Sequence, residues 1–347
     1  MSDQSLYLVA DIGGTNARFA IIDSQSGHWL GHWCTKVANY STIVEAIEDA
    51  ESHLMNGVPI AAVSFAVGAP IDSEEIEFTN SHWRFSKQQL KQQFNWSRLL
   101  VLNDFRAAAY GVLATPVNHH HVVGHLSHEN YCRSSAVIGP GTGLGVAGLY
   151  PHEDSWVIVP TEAGHARWAV NTREELELLR ILQGNDDGDS ACKGIVQRED
   201  ILSGPGLAVL YRAVATLQGK NSAPISNPIL SPEEIVTRAL HQQDSLCLLV
   251  LNLFCRQLGY VVADIAVSMG VRGSIFLAGG LLPRMSEFFM SSEFRQAFES
   301  HPRFGFYFKS INTVLVMEEN LGLIGAHSAL LEYLEKPMML NSDFRLV

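Results

Sequence analysis

Two stretches of this 347-residue chain pair flexible glycines with a threonine hydroxyl: Asp11-Ile-Gly-Gly-Thr15 and Gly139-Pro-Gly-Thr-Gly143. Glycine lets the backbone bend and approach a ligand closely. Successive N–H groups in such a turn can then point at phosphate oxygens, and Thr15 and Thr142 add hydroxyl donors. Apolar runs flank both turns, Tyr7–Ala10 and Ala17–Ile22 around the first, Ala136-Val-Ile138 and Val146–Leu149 around the second. Each therefore reads as strand, tight turn, strand. A single one is no more than an ordinary hairpin; two of them, in successive rounds of the same pattern, point to a clamp on nucleotide phosphates. The competing phosphate motifs are absent. A P-loop needs Gly-Lys-Ser/Thr, and Gly219-Lys220 is followed by Asn221. A dinucleotide turn opens a helix, whereas Gly141-x-Gly143-x-Gly145 runs into Val146-Ala147. Asp11 beside the first turn would repel phosphate unless it faces Mg²⁺, directly or through water. Gly279-Gly280 follows the apolar run Ser274–Ala278 and permits close backbone contact with a flat ligand, with helix N–H groups expected beyond it.

A second set of polar residues could handle a hydroxylated substrate. Asn103-Asp104 ends the apolar run Leu99–Leu102. Transfer of a phosphoryl group to a hydroxyl needs a base for the departing proton, and Asp104 suits that role. It suits equally the N-cap of a helix over Phe105–Leu113, so the local sequence leaves both readings open. Glu162, His165 and Glu199 supply the carboxylates and imidazole that pair adjacent sugar hydroxyls. Glu162 and His165 could also be half of a metal site, without identifiable further ligands. Thr79-Asn80-Ser-His-Trp83 is a polar turn whose aromatic residue suits a sugar face, or else a solvated loop.

The elements that must carry these residues alternate between strand and helix. Helical spacing covers Thr42–Leu54, Phe105–Leu113, Arg173–Leu182, Gly206–Leu217, Pro232–His241, Asp244–Met269 and Leu323–Leu334. Buried strands are expected at Ala61–Val67, Leu99–Leu102 and Ser274–Ala278. The result is an α/β chain with two domains, the length being too great for one ordinary core, and a boundary near Ala114-Thr-Pro116. His119–His121 reads as part of a polar loop with no metal partners in sight.

Composition narrows the classes further. Hydrophobic residues are 47% and charged residues 17%, and the formal charge is −12. Such an acidic surface argues against nucleic acid or anionic membranes as partners. Five cysteines, without Cys-x-x-Cys spacing, fit a reducing cytoplasm and suggest neither a disulfide framework nor a zinc site. The N-terminus shows no signal pattern, and Leu246–Phe254, interrupted by Asn252, reads as a buried helix rather than a membrane span.

In order along the chain, Asp11-Ile-Gly-Gly-Thr-Asn16, Thr79-Asn-x-x-Trp83, Leu102-Asn-Asp-Phe105, Gly139-Pro-Gly-Thr-Gly-Leu-Gly145, Glu162-Ala-Gly-His165, Glu199-x-x-Leu-Ser-Gly-Pro-Gly206, Leu277-Ala-Gly-Gly-Leu-Leu-Pro-Arg284 and Gly322-Leu-Ile-Gly325 resemble the bacterial glucokinases. The set runs from about Leu8 to the last helix. The resemblance implies the two-domain actin-like ATPase (ribonuclease H-like) fold, with residues 1–114 plus 319–347 as the small domain, 115–318 as the large one and the active site in the cleft between them. It implies phosphorylation of glucose at the 6-hydroxyl by ATP with Mg²⁺, in a homodimer, with domain closure excluding water. By motif position, Asp104 becomes the general base, and Asn80, Asn103, Asp104, Glu162, His165 and Glu199 the sugar ligands. The nucleotide contacts become Ala10, Asp11, Ile12, Gly13, Gly14, Thr15, Gly139, Gly141, Thr142, Gly143, Gly279 and Gly280, with Asp11 toward Mg²⁺. Thr161 and Ala163 flank Glu162 where the family commonly has glycine. Asn185–Asp189 looks like an added polar loop. No cysteine cluster follows His165, so the structural zinc of the related repressor–kinase branch is not expected, nor is a DNA-binding segment ahead of the first loop. The alternatives are a kinase for another hexose or an amino sugar, a non-catalytic glucose sensor, and an actin-like polymerising ATPase.

Overall fold

The computed structural model describes residues 5–54, 57–78, 81–126, 133–184, 194–219 and 230–335. The chain forms two compact units, Met1–Pro116 with Asn320–Val347, and Val117–Glu319.

In the first unit, strands β1 (Leu6–Ile12), β2 (Asn16–Asp23) and β3 (Trp29–Lys36) precede helix α1 (Ile43–Leu54) and strand β4 (Ile60–Val67). A small ribbon of β5 (Glu75–Glu77) and β6 (Arg84–Ser86) leads into helix α2 (Lys87–Gln93), then strand β7 (Leu99–Asn103) and helix α3 (Asp104–Ala114). The sheet order is β3-β2-β1-β4-β7. Strands β1 and β2 are antiparallel, while β1, β4 and β7 run parallel. Val63, Phe65 and Val67 of β4 face one apolar cluster, Ala62 and Ala66 the other. A strand covered on both faces must read as continuously apolar, as Ala61–Val67 does.

The second unit begins at strand β8 (His120–Val122), followed by β9 (Ser135–Pro140), β10 (Leu144–His152) and β11 (Ser155–Thr161). Helices α4 (Arg173–Gln183), α5 (Gly204–Leu217), α6 (Pro232–His241) and α7 (Ser245–Ser268) follow. Strand β12 (Ser274–Leu277), the short helices α8 (Ser286–Ser291), α9 (Phe294–Glu299) and α10 (Gly305–Lys309), and strand β13 (Asn312–Val316) complete it. Its sheet runs β11-β10-β9-β12-β13-β8. The first five strands repeat the arrangement of the first unit, with β9 and β10 antiparallel and β9, β12 and β13 parallel. The two rounds visible in the sequence are thus two copies of one sheet plan.

The last helix, α11 (Leu321–Glu335), returns to the first unit and packs on α3. Glycine makes that crossing possible. A Cβ on Gly325 would collide with the Ala107 carbonyl, and one on Gly111 with the Leu321 carbonyl.

Two expectations need correction. The histidines are not on a loop: β8 pairs antiparallel with β13, Val316 opposite His120, and His119 Nδ1 lies 3.0 Å from Glu318 Oε2. Trp83 presents no face to a ligand. It is 1% exposed and donates its indole N–H to the Tyr40 carbonyl at 3.1 Å, because so large an apolar ring gains more by burial than by standing in solvent. Thr79 and Asn80 lie outside the described residues, as does Asn185–Asp189. The apolar stretch Leu246–Phe254 is helical, as expected; it belongs to the 24-residue α7, which by length and a mean hydropathy of 1.8 could cross a membrane. In the fold, 67% of that window is buried inside the second unit's core.

Candidate active site

In the first unit the parallel strands end together: Ile12, Val67 and Asn103 are neighbours in register. Ligands of α/β sheets gather at such carboxyl ends. The turn from Gly13 to Thr15 leaves β1 here, closed by a Gly13 N–H bond to the Asn16 carbonyl at 3.0 Å. Gly68 leaves β4, and its N–H donates to the Ile12 carbonyl at 3.1 Å. Asp104 follows β7, and a Cβ on Gly68 would lie 3.3 Å from Asp104 Oδ2. Asp104 and the first glycine hairpin therefore share one sheet edge.

The competing reading of Asp104 as a helix cap falls to its neighbour. Asn103 is the N-cap of α3, its Oδ1 accepting the N–H groups of Phe105 at 2.9 Å and Arg106 at 3.1 Å. Extended backbone at Asn103 allows this, and it places Asp104 at the first helical position. Asp104 Oδ1 accepts from the Phe105 N–H at 2.8 Å. With the Asn103 carbonyl oxygen turned to the helix, its amide N–H₂ is the group left to offer a ligand.

Asp11 sits one residue before the end of β1. Burial pushes its carboxyl above the usual aspartate range, while Arg18, 3.2 Å away across the hairpin, pulls it partly back. Asp11 and Arg18 are directly opposed in the β1–β2 register. The carboxylate also lies against the start of α11, where a Cβ on Gly322 would be 2.6 Å from Asp11 Cγ. A partly desolvated carboxylate with a single cationic neighbour gains from a divalent cation. Mg²⁺ favours one carboxylate, phosphate oxygens and water over a full protein cage, so the donor set fits. Arg18 escaped the sequence reading. Counting a four-residue hairpin back from Asp11 would have found it.

In the second unit the second hairpin is built differently. Gly141 N–H donates to the Gly143 carbonyl at 2.8 Å, and the Leu144 N–H donates to Glu199 Oε2 at 2.7 Å. A Cβ on Gly143 would strike that carboxylate. Two of the loop's donors are engaged within the protein, leaving the Thr142 and Gly143 N–H groups and the Thr142 hydroxyl for a phosphate. Gly204 N–H holds the Gly141 carbonyl at 2.7 Å, which ties the loop to the start of α5. There Ser203 caps the helix, accepting from the Gly206 N–H at 3.0 Å. Gly279 follows β12 with φ of +90°, and a Cβ on it would lie 2.8 Å from the Pro140 carbonyl. Gly139–Gly143 and Gly279-Gly280 are therefore adjacent. The helix start expected directly after Gly280 is not there. Leu281-Leu282 intervenes, then a single tight turn at Pro283–Met285 and the six-residue α8.

Glu162, His165 and Glu199 converge. The chain after β11 pairs with the segment before α5: Glu199 N–H donates to the Gly164 carbonyl at 3.0 Å, Arg198 N–H to Ala166 at 2.9 Å and Trp168 N–H to Val196 at 2.9 Å. Gly164 is needed because a Cβ would hit the Leu144 carbonyl. His165 Nε2 lies 3.6 Å from Glu162 Oε2, and its Nδ1 is 4.0 Å from Glu199 Oε1. Its Nδ1 also lies 3.0 Å from Gln197 Oε1, a partner the sequence did not reveal. Glu162 is 80% exposed, so its carboxylate is open to a ligand.

The Glucokinase family profile matches residues 8–333. The chain belongs to the glucokinase family. Among its relatives is the glucokinase of Nitrobacter hamburgensis, 35% identical over 328 residues, which cover 94% of this chain and 98% of that one. A crystal structure of glucokinase from an Antarctic psychrotroph superposes with a TM-score of 0.75 at 32% identity, covering 94% of this chain and 99% of its own. The glucokinase of Streptomyces griseus, solved in complex with glucose and AMPPNP, shares the fold at a TM-score of 0.62 and 20% identity, over 94% of this chain and 99% of its own. The fold is therefore the two-domain actin-like ATPase type, and the chain is an enzyme of the glucokinase kind.

Proposed function

We infer that this glucokinase family member transfers the γ-phosphoryl group of ATP to the 6-hydroxyl of D-glucose, with Asp104 as general base. The observation that carries the reading is the division of labour at the start of α3: Asn103 takes the cap, and Asp104 is held at the sheet edge beside the first phosphate hairpin. The Streptomyces griseus protein, bound to glucose and AMPPNP, supports the choice of ligands.

Glucose is held by Glu162, His165 and Glu199 together with Asn103 and Asn80. The ATP phosphates take the N–H groups and hydroxyls of the turns at Gly13–Thr15 and Gly139–Gly143, and Gly279-Gly280 lies along the nucleoside. Bound Mg²⁺, held by Asp11, would neutralise phosphate charge. Asp104 accepts the 6-hydroxyl proton as the O–P bond forms. Most of the acceleration comes from positioning and charge stabilisation. Residues 1–114 with 319–347 act as the small domain and 115–318 as the large one. The acidic surface keeps nucleic acid and membranes from being partners, and the enzyme works in the cytoplasm as a homodimer.

The test is a coupled ADP-release assay with ATP over a panel of hexoses and amino sugars. The highest kcat/KM is expected for glucose. A higher value for another sugar would make the protein that sugar's kinase, and no sugar-dependent release would make it a sensor.

A further inference from the structure

Helix α7 is long and apolar, yet Gln257 sits on its buried face, 1% exposed. A buried amide is costly unless both of its ends are hydrogen-bonded. Here both are. Gln257 Oε1 accepts the indole N–H of Trp168 at 2.9 Å, and its Nε2 donates to Glu175 Oε1 at 2.6 Å. Glu175 is 0% exposed, and its other oxygen accepts the N–H groups of Asn171 at 2.6 Å and Thr172 at 3.1 Å. This carboxylate is the capping-box residue of α4, whose positive N-terminal end favours its charge.

The chain from Trp168 to Thr172 is thereby fixed at both ends against α7. Trp168 itself is 5% exposed and pairs through its backbone with Val196. It ends the short ladder of Gly164–Trp168 against Val196–Glu199, which carries His165 and Glu199 at its other end. A satisfied polar relay specifies one register for that ladder, where an apolar contact would tolerate sliding.

We propose that Gln257 is a positioning residue for glucose: through Trp168 and Glu175 it fixes the ladder that aims His165 and Glu199 at the sugar. The inference rests on the reading of those two residues as sugar ligands. It predicts a larger effect on the sugar than on the nucleotide, whose second hairpin the ladder reaches through the Glu199–Leu144 hydrogen bond.

The test uses the full chain and four variants: Gln257→Leu, Trp168→Phe, their double, and His165→Ala as reference. Loss of the bridging amide in Gln257→Leu is expected to raise the KM for glucose about tenfold and to keep the KM for ATP within about twofold. Trp168→Phe removes only the N–H and shifts the glucose KM in the same direction, less far, which keeps the test available should Gln257→Leu fail to fold. The double variant is no worse for glucose than Gln257→Leu, since both break one relay. An unchanged glucose KM in Gln257→Leu and Trp168→Phe, with a raised one in His165→Ala, overturns the proposal and leaves the relay a stability device. Equal rises in both KM values overturn it also. If His165→Ala leaves the glucose KM unchanged, the sugar-site reading itself fails and this inference falls with it.

Discussion

The two glycine hairpins occupy the same place in two copies of one sheet plan, and they differ in the origin of their carboxylate. In the first, Asp11 belongs to the strand that enters the turn and is opposed by Arg18 across the hairpin. In the second, the acid arrives from far along the chain: Glu199 takes the Leu144 N–H and presses on Gly143. The first carboxylate is suited to a cation on phosphate. The second lies with Glu162 and His165 and, on the proposed reading, links the phosphate loop to the sugar ligands. The two turns are thus alike in their place in the sheet and differ in the acid that stands beside each.

The largest effect should come from breaking the second arrangement. Gly143→Ala forces Glu199 away from Leu144, disturbing phosphate loop and sugar ligand together, and kcat/KM for glucose should fall by about 10³-fold in steady-state assays. A fall confined to the ATP KM would separate the two functions assigned to that loop. In the first hairpin, Asp11→Asn should lower kcat by about 10²-fold, as expected for losing one charged group at a phosphoryl-transfer site. Its stability should move the other way. Burial raises the Asp11 pKa in the folded protein, so stability is lost as pH rises from the unfolded-state value through the folded-state one. Thermal melts at pH 7 should place the Asn variant level with or above the parent; a clear drop would show that the Arg18 pair outweighs burial.

Smaller effects test the frame rather than the site. Gly325→Ala drives a methyl group into the Ala107 carbonyl and should cost about 1–3 kcal/mol in denaturant titrations. The smallest concerns His327 on α11, whose pKa burial lowers and whose Nε2 has no partner among the described residues. Protonation must be resisted in the fold, so its contribution is present above about pH 6.5 and is lost as pH falls. His327→Phe should flatten that part of the acid stability curve; an unchanged slope would assign it to other groups, such as His120, whose pKa burial also lowers.

The sheet plan was legible in the sequence wherever strands were continuously apolar and turns glycine-rich, as at Leu6–Ile12 and Ser135–Pro140. It was not legible at β13, which opens on the polar though buried Asn312 and Thr313, or at β11, where Pro160 is tolerated on an edge strand. Asp11, Asp104, Glu162, His165 and Glu199 were named from motif position. Their partners Arg18, Gln197 and Gly68 were not, because contacts made by pairing between distant segments leave no local spacing to read. Trp83 misled for the opposite reason: an aromatic residue in a polar turn has the composition of a sugar site, and only tertiary packing shows it buried. The glycines of Gly322-Leu-Ile-Gly325 were noted without a cause, which the Asp11 contact and the α3 crossing supply.

Asp104 carries the proposed chemistry most directly. Asp104→Asn, assayed by ADP release with glucose and ATP and by calorimetric titration with glucose, should lose at least about 100-fold in kcat while binding glucose as the parent does. Near-parental kcat would contradict the assignment of Asp104 as the base.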